Sequence, residues 1–359
     1  METKKFLVIR HHDNDGMLGG ALCDLHANLN KPAEIDTITL NHVKNDLEEI
    51  KRVVCTRNCK YDRIYIVDYS FNLEEALGIF KFLFDHSVEV IWFDHHDSSF
   101  DFIKGNPTFI DENENRLFGM INKSACGAYL AYIGLFISPC NKVQSKLQVD
   151  GTTNIIEQYD DYHIPYILKL VDDYDTWKHL LPNKVARYFN RGTFGLNREL
   201  LTEESGYKLW NEWLNDDILS NALNLNILNP EHTCIDINDV IDDGRIDSLP
   251  KEKEYISKLN EYGFIGKLDG HTCLCLNEGL GNSFAFEELI DKFDFCILFT
   301  FNGEKYKYTL YSKEVSVVEI CMKHGGGGHK NAAGFTSSNM EIEFVKSLSN
   351  YIKEVNKNE

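Results

Sequence analysis

The sequence predicts an α/β protein with an N-terminal parallel-sheet domain, a helical connector and a smaller C-terminal α/β domain. Three observations carry that prediction. Short β-branched or aromatic runs alternate with helical stretches through the N-terminal part of the chain, the pattern of a parallel sheet with crossover helices. Three of those runs lead directly into polar clusters, and open parallel sheets bind ligands beyond the carboxyl ends of their strands. A second α/β pattern begins near Tyr255, after an irregular stretch rich in Asn, Asp and Glu.

Element by element, Lys5–Ile9 reads as a first strand and Gly16–Asn28 as its helix. Glu34–Thr39 with Val43–Val54, and Arg63–Val67 with Leu73–Phe84, repeat the pair, and Val88–Phe93 is a fourth strand. Ser124–Phe136 and Asn154–Leu170 read as helices, and Lys184–Pro250 as the largely helical connector. Farther on, a helix near Phe284–Lys292 precedes strands Phe295–Phe301 and Lys305–Tyr311, joined at an Asn302-Gly303 hairpin turn. A helix at Val315–Lys323 then runs into Gly325-Gly326-Gly327-Gly328-His329.

Composition narrows the function. At 359 residues, 43% of them hydrophobic, the chain is long enough to bury two cores. It holds no apolar run of the length that spans a bilayer, and Phe6–Ile9 is too short for the apolar part of a signal peptide. A cytoplasmic address with no membrane partner is expected. The ten cysteines form no pair of Cys-x-x-Cys knuckles, so reduced, mostly buried thiols are expected instead of disulfides or structural zinc. A net charge of −19 disfavours tracking of long duplex nucleic acid, which rewards a basic surface. A polyanionic substrate must then be short and met by a local site, where bound divalent cations supply positive charge.

The polar clusters suit such a site. His11-x-Asp13-x-Asp15-Gly16 places three donors at alternate positions off a strand end, able to converge on a metal; read alone, the same string is also a capped helix start. His12 points the other way in that scheme. Asp68 follows an apolar strand, and its two oxygens could bridge two cations. In Asp94-His95-His96 two adjacent imidazoles follow a buried strand, where both need polar partners. His95 suits a ligand, Asp94 a carboxylate orienting an imidazole, and His96 a contact to substrate phosphate or the leaving oxygen. Asp172-Asp173-Tyr174-Asp175 follows a helix and supplies three further carboxylates, among which the residues alone do not choose. An oxygen-and-imidazole set without thiolates suits Mn²⁺, with Mg²⁺ as the alternative, two ions per site. The glycine run lets backbone N–H groups converge as an anion-binding nest, with His329 as an added donor.

These strings resemble the DHH/DHHA1 phosphoesterase family: His11-His12-Asp13-Asn14-Asp15-Gly16, Val67-Asp68-Tyr69, Asp94-His95-His96 and Gly326-Gly327-Gly328-His329-Lys330-Asn331-Ala332-Ala333-Gly334, in order across nearly the whole chain. Tyr174-Asp175-Thr176-Trp177 is similar to the oligoribonuclease NrnB-like branch, relatives of RecJ and NrnA. The resemblance implies a DHH catalytic domain over 1–183, a connector over 184–250 and a DHHA1 substrate-binding domain over 251–359. It selects Asp175 as the fourth-motif ligand, with Asp173 in reserve. One metal is then expected on His11, Asp13 and Asp68 and the other on Asp15, Asp68, His95 and Asp175, with Asp68, His95 and His96 catalytic. Gly326, Gly327, Gly328, His329, Lys330 and Arg191 would bind substrate. Leu310-Tyr311-Ser312 stands where relatives often carry an Arg, a place that Arg187, Arg191 or Lys330 would fill. The implied activity is exonucleolytic cleavage of short single-stranded RNA or DNA, with hydrolysis of cyclic or linear dinucleotides and a non-catalytic nucleotide sensor as alternatives; a homodimer is compatible with this reading.

Overall fold

The computed structural model of the protein describes residues 3–29, 32–41, 46–57, 60–137, 146–159, 162–178, 180–196, 209–210, 213–214, 236–279, 283–286, 289–328 and 330–358. Most of 197–235, expected within the connector, and His329 lie outside the described residues. Two compact units divide the chain, Met1–Arg245 and Ile246–Glu359.

The first unit is built on a parallel six-stranded sheet in the order β2-β1-β3-β4-β5-β6. Its strands are β1 (Lys5–His11), β2 (Glu34–Leu40), β3 (Tyr61–Val67), β4 (Ser87–Asp94), β5 (Leu117–Asn122) and β6 (Leu147–Asp150). The expected first four strands are all present; β5 and β6 extend the sheet beyond them. Residues on alternate sides of β1 and β3 feed two separate cores. Val8, Tyr65 and Val67 pack with helix α1 (Asn14–Asn28), and Leu7, Ile9, Ile64 and Ile66 pack with α2 (Asp46–Arg57) and α3 (Leu73–His86). Burial on both faces is what makes these strands read as continuous apolar runs. The chain passes from β1 to β2 on one side and returns to β3 on the other, so the strand order reverses beside β1. In open α/β sheets, ligands bind at such a switch point, here beyond the carboxyl ends of β1 and β3.

Two expected helices are recut. Ser124–Phe136 starts three residues later, as α6 (Gly127–Tyr132), and ends in a π-helical turn at Ile133–Ile137. Earlier in the chain, α4 (Asp97–Gly105) and α5 (Pro107–Glu112) lead from β4 to β5. Asn154–Leu170 is not one helix: α7 (Ile155–Gln158) stops, and α8 (Tyr166–Asp175) begins after Pro165, whose missing N–H and fixed φ suit a helix start and not an interior. The acidic string therefore forms the last turn of α8 instead of following a helix. Next comes α9 (Val185–Gly195), and the boundary between the two units falls inside the 26-residue helix α10 (Ile237–Tyr262).

The second unit carries a mixed seven-stranded sheet, ordered β11-β12-β10-β9-β8-β7-β13. Its strands are β7 (Phe264–Leu268), β8 (His271–Asn277), β9 (Phe295–Phe301), β10 (Tyr306–Tyr311), β11 (Gly327–Gly328), β12 (Ala332–Ser337) and β13 (Glu343–Ser347). β9 and β10 form the expected antiparallel hairpin. In place of a helix over 284–292, the described residues form two 3₁₀ turns, Ser283–Phe286 and Ile290–Lys292. The two-domain α/β layout is thus the one the sequence predicts. Among the described residues no helix is long and apolar enough to cross a membrane.

Candidate metal centre

The site assembles at the carboxyl ends of β1, β3 and β4, which are neighbours in the sheet. His11 is the last residue of β1, and α1 begins only three residues later, so the three alternate donors do not share one extended strand. Asp13 is the N-cap of α1, accepting the Gly16 N–H at 3.0 Å through Oδ1. Its Oδ2 lies 2.7 Å from His11 Nδ1. Asp15, in the first turn, accepts from the N–H groups of Gly127 and Ala128 at 2.6 Å each, and so tethers α1 to the start of α6. Gly16 is required: a Cβ there would meet the His11 carbonyl oxygen at 2.4 Å. His12 is exposed and stands edge-on to the His11 ring.

Asp68 leaves β3 in the left-handed region, at φ +52°, a conformation that costs a non-glycine residue energy and persists only when its surroundings enforce it. They do so from three directions. The Asp68 N–H donates to Phe93 O at 2.9 Å, the Trp92 indole donates to Tyr69 O at 3.0 Å, and the Tyr69 hydroxyl donates to Asp46. The Asp68 carboxylate then stands between two imidazoles, with Oδ2 3.6 Å from His11 Nδ1 and Oδ1 3.3 Å from His95 Nε2.

His95 Nε2 also lies 3.2 Å from Asp175 Oδ2 and 3.9 Å from Asp15 Oδ2. The structure separates the three acids of α8. Asp172 accepts from the Cys126 N–H and from Lys178, and Asp173 accepts from the N–H groups of Leu180 and Leu181. Asp175 is the one placed against His95. The carboxylate of Asp94 is engaged on both oxygens, by His96 Nδ1 at 2.7 Å and by the Ser99 hydroxyl, so the imidazole it orients is that of His96. His96 Nδ1 lies 3.9 Å from Asp68 Oδ1.

Donor atoms of His11, Asp13 and Asp68 converge in one group, those of Asp15, His95 and Asp175 in a second, and those of Asp68, His95 and His96 in a third. Two features fit these groups to divalent cations. Asp68 Oδ2 and Asp175 Oδ2 are buried without a hydrogen-bond partner, an expensive state for a carboxylate oxygen unless a cation neutralises it. Burial, and then the charges of Asp15 and Asp13, also push the carboxyls of Asp68 and Asp175 well above their usual range. Asp15 is pushed up to about 6 by burial and by the charge of Asp13. Burial alone would depress the His96 imidazole, but the charge and hydrogen bond of Asp94 hold it up at about 9.

The sign of these shifts sets an expected pH dependence. A carboxyl whose folded pKa exceeds its unfolded value binds more protons when folded, so stability declines as pH rises from the ordinary carboxylate range through the raised value. Metal-free protein is therefore expected to melt higher at pH 5 than at pH 7.5, by a few degrees. His96 acts in the same direction at higher pH, its contribution fading between its ordinary value and about 9. A divalent cation held by these carboxyls would displace their protons, so stabilisation by MnCl₂ is expected to grow across pH 5 to 7.5 and reverse the order. Thermal melts at both pH values, with and without MnCl₂, check this.

The remaining expected residues are placed differently. Arg191 and the buried Arg187 lie on α9 in the first unit. Gly326, Gly327, Gly328 and Lys330 belong to the second unit. There the glycine run follows the C-terminus of a helix. The Gly325 and Gly326 N–H groups donate back to Met322 O and Cys321 O at the end of α11 (Val317–Lys323). Gly327 and Gly328 pair with Gly334 and Ala333 as strand β11. A Cβ at Gly326 would lie 2.1 Å from Gly334 O, so close sheet packing demands glycine there. Sequence reasoning missed Asn14, whose amide donates to Asn190 and Thr193, and Gly127, where a Cβ would meet Asp68 Cβ and N at 2.8 Å.

No family model matches the chain, and no curated protein matches it. Among solved structures it is similar to PggH, a pGpG-specific phosphodiesterase from Vibrio, at 16% identity and TM-score 0.42 over 99% of this chain and 97% of that one. It is similar to RecJ in complex with Mn²⁺ from Thermus thermophilus at 15% identity and TM-score 0.45, over 98% of this chain and 51% of that one. An uncharacterized protein from Helicobacter pylori G27 is similar at 15% identity and TM-score 0.35, over 99% of this chain and 98% of that one.

Proposed function

We propose that the protein is a metal-dependent phosphodiesterase that degrades short single-stranded oligonucleotides to nucleoside 5′-monophosphates. The observation that supports it most is the gathering of Asp15, Asp68 and Asp175 around His11 and His95, with two buried carboxylate oxygens that accept no hydrogen bond. In this reading His11, Asp13 and Asp68 hold one Mn²⁺ and Asp15, Asp68, His95 and Asp175 the other. When bound, such a pair supplies an activated water and stabilises the leaving oxygen in displacement at phosphorus.

The protein's own groups do the rest. Asp68 fixes the spacing of the two imidazoles, because one carboxylate reaches toward both. His96 stays protonated at neutral pH through Asp94 and presents a positive donor to a non-bridging phosphate oxygen or the leaving oxygen. Asp94, locked by His96 and Ser99, holds that ring in place. With a net charge of −19, the surface offers little to a long duplex, and short substrates are favoured. Gly327, Gly328, His329, Lys330 and Arg191 are the proposed substrate contacts; the Gly326 amide is taken up by Cys321 O.

A length series tests the proposal. With Mn²⁺, labelled oligonucleotides of about two to five residues should be shortened to mononucleotides, since a single cleft buries a ligand of that size. Turnover confined to two-residue or cyclic dinucleotide substrates would narrow the activity to a dinucleotide phosphodiesterase. Absence of turnover across the whole series, with both Mn²⁺ and Mg²⁺, would sink it.

A further inference from the structure

Asn14 lies between two of the proposed ligands, Asp13 and Asp15, and is half-buried where α1 begins. Its side-chain amide donates both hydrogens to α9, to Asn190 Oδ1 at 2.8 Å and to Thr193 Oγ1 at 2.9 Å. These partners are 176 and 179 residues away in the chain, so the bonds tie the metal-binding turn to a distant helix and do nothing for the turn locally. The far end of the tie is itself fixed. Thr193 is buried, and its hydroxyl donates onward to Asn190 O at 2.7 Å. Helix α9 crosses the start of α10 with backbones almost touching. A Cβ at Gly192 would lie 1.9 Å from Val240 O, and one at Gly244 would lie 1.9 Å from Tyr188 O. A crossing that admits no Cβ on either side leaves α9 little freedom to shift.

We propose that Asn14 is a positioning residue: it fastens the turn carrying Asp13 and Asp15 to α9, and the glycine crossing of α9 on α10 sets where that anchor stands. The assignment rests on the metal-site reading above. It extends that reading to residues that touch neither metal nor substrate, and it gives the glycines at 192 and 244 a purpose. Outer contacts of this kind govern how well a ligand is presented rather than whether it exists.

The experiment measures Mn²⁺ binding directly, by calorimetry on the full chain, for wild type, Asn14→Ala, Thr193→Val and the double variant, beside metal-free melting curves. Asn14→Ala should weaken Mn²⁺ binding about tenfold, the scale typical of lost outer contacts. Thr193→Val, which removes one acceptor at nearly constant volume, should weaken it less. The double variant should match Asn14→Ala, because both changes cut the same tie. Metal-free melting should move by no more than about 3 °C, and KM for a three-residue oligonucleotide should hold while kcat falls at limiting Mn²⁺. An unchanged isotherm in Asn14→Ala, or additive losses in the double variant, overturns the assignment and leaves the metal site standing. Wild type that binds no Mn²⁺ overturns both.

Discussion

Asp68→Asn should raise the melting temperature of the metal-free protein while abolishing its response to Mn²⁺ and its activity. The substitution keeps shape and removes one negative charge from a buried cluster that includes Asp13, Asp15 and Asp175. Burial and those neighbours already push the Asp68 carboxyl well above its usual range, so without a cation the charge is a liability to the fold. With a cation it becomes a bridge, since its two oxygens lie near both imidazoles. Loss of turnover by at least about 10³-fold is expected, the scale of removing a group that organises charge in the transition state. The opposed signs are the test. Melting curves with and without MnCl₂ should cross between wild type and variant; a variant that loses stability in both conditions would show Asp68 to be only a structural residue.

Gly127→Ala should be nearly as damaging, although Gly127 bears no functional group. A Cβ there would lie 2.8 Å from both the amide nitrogen and Cβ of Asp68, and backbone cannot yield as a flexible side chain does. The Gly127 N–H is also one of the two donors holding Asp15. Overpacking of this kind costs about 1–3 kcal/mol, and displacement of a reacting group by about 1 Å can cost 10²-fold in rate. Gly78→Ala is the control. Nothing lies within 4 Å of a Cβ at that position in α3, so it should stabilise the protein by about 0.5–1 kcal/mol and leave turnover untouched. Equal kcat in Gly127→Ala and Gly78→Ala would refute this account of the site's geometry.

What was legible in the sequence follows a physical rule. His11, Asp68 and His95 could be read because each ends an apolar run, and a doubly buried strand announces both itself and its terminus. Asp175 could not be told from Asp172 and Asp173 by chemistry. The distinction lies in the partners of the other two, the Cys126 and Leu180 amides, which only folding brings near. The break at Pro165 was visible but overridden by helical periodicity on either side. β5 escaped notice because Gly119 interrupts it, at φ +121°, where a Cβ would strike the Trp92 carbonyl at 2.0 Å. The glycine run drew attention as an anion cradle, whereas at least Gly325 and Gly326 use their amides to end α11. Asn14 gave no local signal at all, since its partners are far away in sequence.

The four segments that supply the site carry a consequence for how the unit is made. β1, β3 and β4 can zip together on apolar pairing alone, but the last turn of α8 must bring Asp175 into a region already crowded with carboxylates. Docking of α8 is therefore opposed by like charge until protons or cations intervene, and contacts between residues as distant as 15 and 175 form slowly in any case. A cation that binds only the completed cluster favours the fully assembled unit by mass action. Under the proposed function the same ion would then also act as an assembly checkpoint, holding α8 in place only when every other ligand has already arrived.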